Sequence, residues 1–112
     1  MKTIILLLIL SASVYAQSLI KYNESDLIKE FYVAESIEKS DNGIFVEVVL
    51  LSEIMFPETE THSLLYFSND GYVNAGGYEK NINTGKIKII PGSNKKEPIE
   101  PSMINLYKIL FP

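Results

Sequence analysis

The 112-residue chain is acidic, with a formal net charge of −4, and it contains no cysteine. All ten of its basic residues are lysines. Arginine is the side chain best suited to bidentate phosphate recognition, so its absence together with the acidic balance argues against a nucleic-acid partner. Without thiols the chain forms no disulfide and has no cysteine nucleophile or cysteine-ligated metal site.

The charge is unevenly distributed along the sequence. Residues 24–70 carry a net charge of −9, whereas residues 71–112 carry +3. Exposed charges spread over loops explain such a pattern in most proteins. The alternative is a dipolar surface that steers a charged partner.

The first sixteen residues have the pattern of an export signal. Lys2 precedes a short apolar run, and the segment ends Val14-Tyr15-Ala16, with small residues where signal peptidase requires them. We expect cleavage between Ala16 and Gln17, because the apolar run is shorter than a membrane span; a retained anchor is the alternative. The mature chain, 17–112, is then expected to form one exported domain, periplasmic, surface-located or secreted, with no membrane span.

Residues 31–53 contain the strongest strand signals. A short strand over 31–34 leads through a polar turn ending Asp41-Asn42-Gly43 into a long apolar strand over 44–53. Asn and Gly tolerate positive φ, so the chain is predicted to reverse there. The long strand is apolar on both faces, although Glu47 shares its second face with Phe45, Val49 and Leu51, and it therefore needs cover on both sides.

Three further strands are predicted after an interruption at Pro57. They cover 62–68, 72–78 and 86–90, whereas residues 17–29 are expected to form a turn-like lead-in. The adjacent glycines Gly76 and Gly77 indicate a bulge or a close backbone approach. The last strand alternates lysine and isoleucine, which is typical of a half-exposed strand.

The C-terminus carries the one predicted helix. Pro101 suits its first turn and Ser102 can cap its amides. Apolar side chains recur at helical spacing, so the helix is expected to cover one face of the sheet. The fold class is thus α+β, an antiparallel sheet of about five strands with a C-terminal helix. The predicted core consists of Val46, Val48, Leu50, Leu65, Ile87, Ile89, Ile104, Tyr107 and Leu110.

Residues that could carry catalysis are few. Glu58, Glu60 and His62 share a face on an extended segment, and two carboxylates with an imidazole can bind a divalent metal. A solvent-exposed acidic loop after Pro57 is the simpler interpretation. We therefore predict no enzyme activity, no cofactor and no metal site. A metal-dependent enzyme that uses Glu58, Glu60 and His62 is kept as a third hypothesis, after the two binding functions given below.

Tyrosines offer individual candidates for contact with a partner. Tyr72 and Tyr78 flank the glycine-rich fourth strand. Exposed tyrosines often anchor protein interfaces, although those on strands commonly form cross-strand pairs. We select Tyr72 and Tyr78 as exposed anchors for a protein partner.

Several short motifs resemble surface-adhesin protein E-like domains, which are small exported bacterial domains. The similarity lies in Tyr32–Lys39, Gly43 and Val46–Val49, in Gly85-Lys86, and in the Ile99–Ser102 lead into the helix. The cysteines and the tryptophan common in that family are missing here. The resemblance implies an antiparallel sheet crossed by a C-terminal helix, and adhesion-like binding to host proteins.

Two functional hypotheses follow. The first is an exported non-enzymatic module that binds a protein. The second is an inhibitor or immunity-like protein that blocks a periplasmic or secreted enzyme through the acidic 24–70 half.

Overall fold

The computed structural model describes residues 18–52 and 58–112, and in these ranges the chain forms seven strands, two 3₁₀ turns and one α-helix. The 3₁₀ turns are Ala34–Ser36 and Pro101–Met103. The strands and helix are β1 (Leu19–Glu24), β2 (Ile28–Val33), β3 (Glu38–Lys39), β4 (Ile44–Ser52), β5 (Thr59–Ser68), β6 (Gly71–Asn81), β7 (Ile87–Ile90) and α1 (Ile104–Leu110).

All strands of this part of the chain belong to one antiparallel sheet. Its order is β1-β2-β4-β5-β6-β7, and the two-residue β3 pairs with the start of β4. The predicted antiparallel sheet and C-terminal helix are confirmed. The expected number of about five strands is wrong, and with a single short helix the described chain is α+β or mostly β.

Strand β1 accounts for much of the difference, because residues 17–29 were expected to form an irregular lead-in. It pairs with β2, with a register shift between Lys21 and Asn23. Its polar end is compatible with a strand because the side-chain amide of Asn23 donates to the Glu30 carboxylate at 2.6 Å. Tyr22 points into the core instead of following the polar trend of its neighbours.

The main core lies between one face of the sheet and α1. Even-numbered residues of β4 and odd-numbered residues of β5 share this face, as the pairs Val46–Leu65 and Ile44–Phe67 show. The buried members of the core are Tyr22, Tyr32, Ile44, Val46, Val48, Leu65, Phe67, Tyr72, Met103, Leu106 and Leu110. Burial of this apolar area is the principal term that holds the helix on the sheet.

The core prediction is correct in the centre of the sheet and wrong at its margin. Val46, Val48, Leu65 and Leu110 are buried, and Leu50 and Tyr107 are partly buried. Ile87, Ile89 and Ile104 are exposed. The two β7 isoleucines are exposed because β7 ends the sheet, and Ile104 because the helix turns its Met103–Leu106–Leu110 side inward.

The helix is entered differently from the prediction. Pro101 begins a 3₁₀ turn, and Ser102 makes no side-chain cap hydrogen bond. Glu100 precedes the turn in extended conformation, and its carbonyl accepts from the Met103 amide at 2.9 Å. The helix is tied to the opposite end of the chain because the Asn105 side chain donates to the Tyr22 carbonyl at 3.0 Å.

The reversal before β4 forms at the predicted place with different backbone geometry. The Ser40 amide donates to the Gly43 carbonyl at 2.8 Å, but neither Asn42 nor Gly43 has positive φ. Gly43 is required for space instead, since a Cβ there would overlap the Phe67 carbonyl oxygen and the Tyr66 ring.

The signal segment and the Pro57 interruption lie outside the described residues. No helix in the described ranges is both long and apolar enough to cross a membrane.

Candidate functional site

A cluster of three ionisable side chains lies on the sheet face opposite α1. His62 Nδ1 is 2.8 Å from Oε2 of Glu47, and His62 Nε2 is 2.5 Å from Oε1 of Glu60. Glu47 is only 1% exposed, whereas the Glu60 side chain is partly open to solvent. We call these three residues the carboxylate–histidine cluster.

Strand register brings the cluster together. Val49 of β4 pairs with His62 of β5, so His62 shares its face with Glu47, two residues before Val49. Glu60 lies two residues before His62 on the same strand and face. The backbone of Glu47 is fixed by Ser36, whose hydroxyl accepts from the Glu47 amide at 2.8 Å.

A tyrosine covers the imidazole. His62 and Tyr78 are directly paired across β5 and β6, and their rings stack with centroids 4.5 Å apart and an interplanar angle of 11°. The close approach of β6 to β5 depends on Gly77, because a Cβ at this position would overlap the His62 carbonyl oxygen. The register shifts between Ser63 and Leu65 opposite this point, so the predicted bulge at Gly76 and Gly77 is confirmed.

The geometry of the cluster favours a charged imidazole. A neutral imidazole has one N–H, so one of its nitrogens would face a carboxylate oxygen without a proton between them, whereas an imidazolium donates to both carboxylates. Burial lowers the pKa of His62, but the hydrogen bonds and charges of Glu47 and Glu60 outweigh it, so the net pKa is raised above the ordinary value. The geometry and the direction of this shift both favour an imidazolium that bridges the two glutamate side chains.

This arrangement gives His62 a structural role. Both ring nitrogens are engaged, on opposite sides of the ring, so the two carboxylates do not converge with a nitrogen on a common point. The described ranges contain no group of three His, Asp or Glu residues placed to hold a metal. The structure brings Glu60 and His62 together as the sequence indicated, but within β5 instead of an exposed acidic loop, and it adds Glu47 in place of Glu58.

Tyr72 and Tyr78 are not the exposed anchors that the sequence suggested. They are 9% and 8% exposed. The Tyr72 ring packs on Phe67 in the main core, and its hydroxyl donates to Glu100 at 3.2 Å. Burial and, next, the Glu100 charge raise the pKa of Tyr72 to about 12.

The exposed apolar surface next to the cluster belongs to β7. Ile87 and Ile89 are 59% and 68% exposed, and they share the cluster's face because they pair with Lys80 and Tyr78 of β6. Ile89, Tyr78 and His62 thus form a continuous row across three strands. We call β7, with its open side, the β7 edge.

Backbone groups of the β7 edge point away from the sheet. The Asn81 amide donates to the Lys86 carbonyl at 2.9 Å, which makes these two residues a hydrogen-bonded pair. Pairs alternate along an antiparallel ladder, so Lys88 and Ile90 bond to β6 while the amides and carbonyls of Ile87 and Ile89 face outward. β7 has no neighbour on that side among the described strands.

Comparisons with known proteins identify no relative: no protein-family model, no curated protein and no solved structure matches the chain.

Proposed function

We propose that the chain is an exported, non-enzymatic module that binds a protein partner through the β7 edge. The observation that carries the proposal is the combination of two outward-facing isoleucines with outward-facing backbone donors and acceptors on the same residues. An extended segment of a partner can pair with such an edge, its main chain supplying affinity and its side chains specificity.

The state of the carboxylate–histidine cluster supports a binding role over a catalytic one. His62 is buried with both nitrogens engaged, so it is not poised as a general base. Exposed isoleucines on an unpaired edge strand are, by contrast, a liability that proteins normally cover, and Lys88, the charge on β7, projects from the other face of the strand. Their retention is explained if a partner covers them. The resemblance to surface-adhesin domains favours the same role and would make the partner a host protein.

A proline substitution tests the edge directly. The amide of Ile89 points outward, so Ile89→Pro removes a donor available to a partner and leaves the β6 ladder intact. Ile89→Ala is the matched control, because it removes the same side chain and keeps the amide. A photo-crosslinking residue at position 89 first captures the partner, with position 109, another exposed isoleucine, on α1, as the control site.

We expect capture from position 89 and not from position 109, and affinity for the purified partner about tenfold lower in Ile89→Pro than in Ile89→Ala. Equal affinity in the two variants, or equal capture from both positions, would contradict the proposal. The identity of the captured protein also separates the two functions: a matrix or serum protein fits an adhesin-like module, and an enzyme that loses activity fits an inhibitor.

A further inference from the structure

The β7 edge also carries an exposed positive charge. Lys88 lies between Ile87 and Ile89 in sequence and projects from the opposite face of the strand. It is exposed, and no ion pair joins it to any described residue, although Glu79 lies opposite it on β6. Lys80 and Lys86, at the same end of the sheet, are likewise exposed and make no such pair.

We propose that the segment bound at the β7 edge is a β-strand with a carboxylate between two apolar residues. This inference rests on the proposed function and specifies its partner. A residue opposite Ile87 or Ile89 shares the apolar face of the row that includes Tyr78, so an apolar side chain is favoured there. A residue opposite Lys88 lies on the other face, where an acidic side chain forms a favourable cross-strand pair.

A second copy of β7 does not satisfy this pattern. An antiparallel copy must pair residues with outward backbone groups, which are Ile87 and Ile89. Pairing Ile87 with Ile89 places Lys88 directly opposite Lys88, and pairing Ile87 with Ile87 places Lys88 opposite Lys86. Like charges at directly opposed positions are destabilising.

The remaining homotypic register is excluded for another reason. Pairing Ile89 with Ile89 brings Pro91 opposite Ile87, at a position where the ladder requires an amide that proline lacks. Each of these three antiparallel registers of β7 with itself therefore has a defect. A heterologous acidic strand has none, and it matches the +3 charge of residues 71–112.

Two capped peptides differing in one residue test the inference. The probes are Thr-Thr-Val-Glu-Val-Thr-Thr and Thr-Thr-Val-Lys-Val-Thr-Thr, titrated at low ionic strength into the ¹⁵N-labelled mature chain. We expect the glutamate peptide to shift the Ile87 and Ile89 amide resonances and to bind about threefold to tenfold more tightly than the lysine peptide. High salt should reduce this ratio, since exposed charges are screened.

Variants test whether the Lys88 side chain causes the difference in affinity between the two peptides. Lys88→Gln should bring the two affinities close to each other, whereas Lys108→Gln, which neutralises an exposed lysine of α1, should leave the ratio unchanged. Lys88→Glu should reverse the preference. Because Lys88→Glu faces Glu79 and lowers stability, Lys88→Gln remains the decisive variant.

Three results would overturn the inference: equal affinity for both peptides, a ratio insensitive to Lys88→Gln, or no shift of the Ile87 and Ile89 amides by either peptide. Concentration-dependent dimerisation that Ile89→Pro abolishes would also overturn it, in favour of a second copy. In each of these cases the proposed function is still tested by comparing the affinities of Ile89→Pro and Ile89→Ala for the captured partner. Failure of the inference is therefore distinguishable from failure of the proposed function.

Discussion

Nδ1 of His62 lies within hydrogen-bond distance of Oε2 of Glu47, at 2.8 Å, while Oε1 of the same buried side chain has no hydrogen-bond partner among the described residues. This pairing places ionisable side chains in the interior of the sheet. His62 stacks on Tyr78, which lies next to Ile89 of β7. Buried pairs of this kind are costly to break and often neutral to replace as a unit.

A double-mutant cycle on this pair should be strongly non-additive. Glu47→Leu leaves the buried imidazolium with one carboxylate, so we expect it to lower the free energy of unfolding by about 3 kcal/mol. Glu47→Leu/His62→Leu removes both charges and should be more stable than Glu47→Leu alone. Urea denaturation of the two single variants and the double variant measures this. Additive losses would show that the pair is not coupled.

The raised pKa of His62 predicts a pH dependence of stability. Because the folded-state pKa lies above the unfolded value, the stabilisation is fully present below the unfolded pKa of about 6.5 and is lost as pH rises through the folded value. The free energy of unfolding, relative to that of His62→Gln, should therefore decrease as the pH rises above about 6.5. A constant difference would show that the pKa of His62 is the same in the folded and unfolded states, and an increase with pH would show that folding lowers it; either result would contradict this prediction.

The close approach of β5 and β6 at Gly77 predicts that a larger side chain there is strongly destabilising. In Gly77→Ala the new methyl group would overlap the His62 carbonyl oxygen, so β5 and β6 must separate, and we expect a loss of about 3 kcal/mol or more. Gly85→Ala is the control. Gly85 has φ of 75° and no neighbouring atom within 4 Å of an added Cβ, so its loss should be about 1 kcal/mol, from backbone conformation alone. Similar losses in thermal unfolding of the two variants would contradict this account.

Docking of α1 predicts a contrast between its two sides. Leu106 is fully buried against the sheet, and Leu106→Ala should cost about 2 to 5 kcal/mol through lost burial and the cavity that remains. Ile109, on the exposed side, should tolerate alanine with a change of about 0.5 kcal/mol or less. Chemical denaturation of both variants provides the comparison, and equal losses would mean that the helix does not rely on this side for docking.

The sequence predicted those elements whose pattern is local. The long strand β4, the bulge at Gly76 and Gly77 and the C-terminal helix all follow from apolar periodicity or from glycine pairs. Strand β1 escaped because Asn23 and Glu24 give it a polar end, and the contact that tolerates this polarity, Asn23 with Glu30, depends on the register between two strands.

The exposure of side chains was harder to predict, since it depends on strand order. Ile87 and Ile89 belong to a correctly predicted strand, but alternation does not reveal that the strand is at the edge. Tyr78 was expected to be exposed, yet its position opposite His62 buries it. For the carboxylate–histidine cluster one signal was present: Glu47 is a charge in the middle of a strand predicted to be buried on both faces, and a buried charge requires a partner.

The order of strands in the sheet has a consequence for how the chain folds. Each long strand pairs with the next long strand along the sequence, so the sheet can assemble from successive hairpins with little loop-closure entropy, a topology associated with rapid folding. The exception is the contact between α1 and β1, where Asn105 meets Tyr22 across nearly the whole chain. Closure of this contact needs α1 together with β1, so the strands can pair along the sheet before the core is sealed.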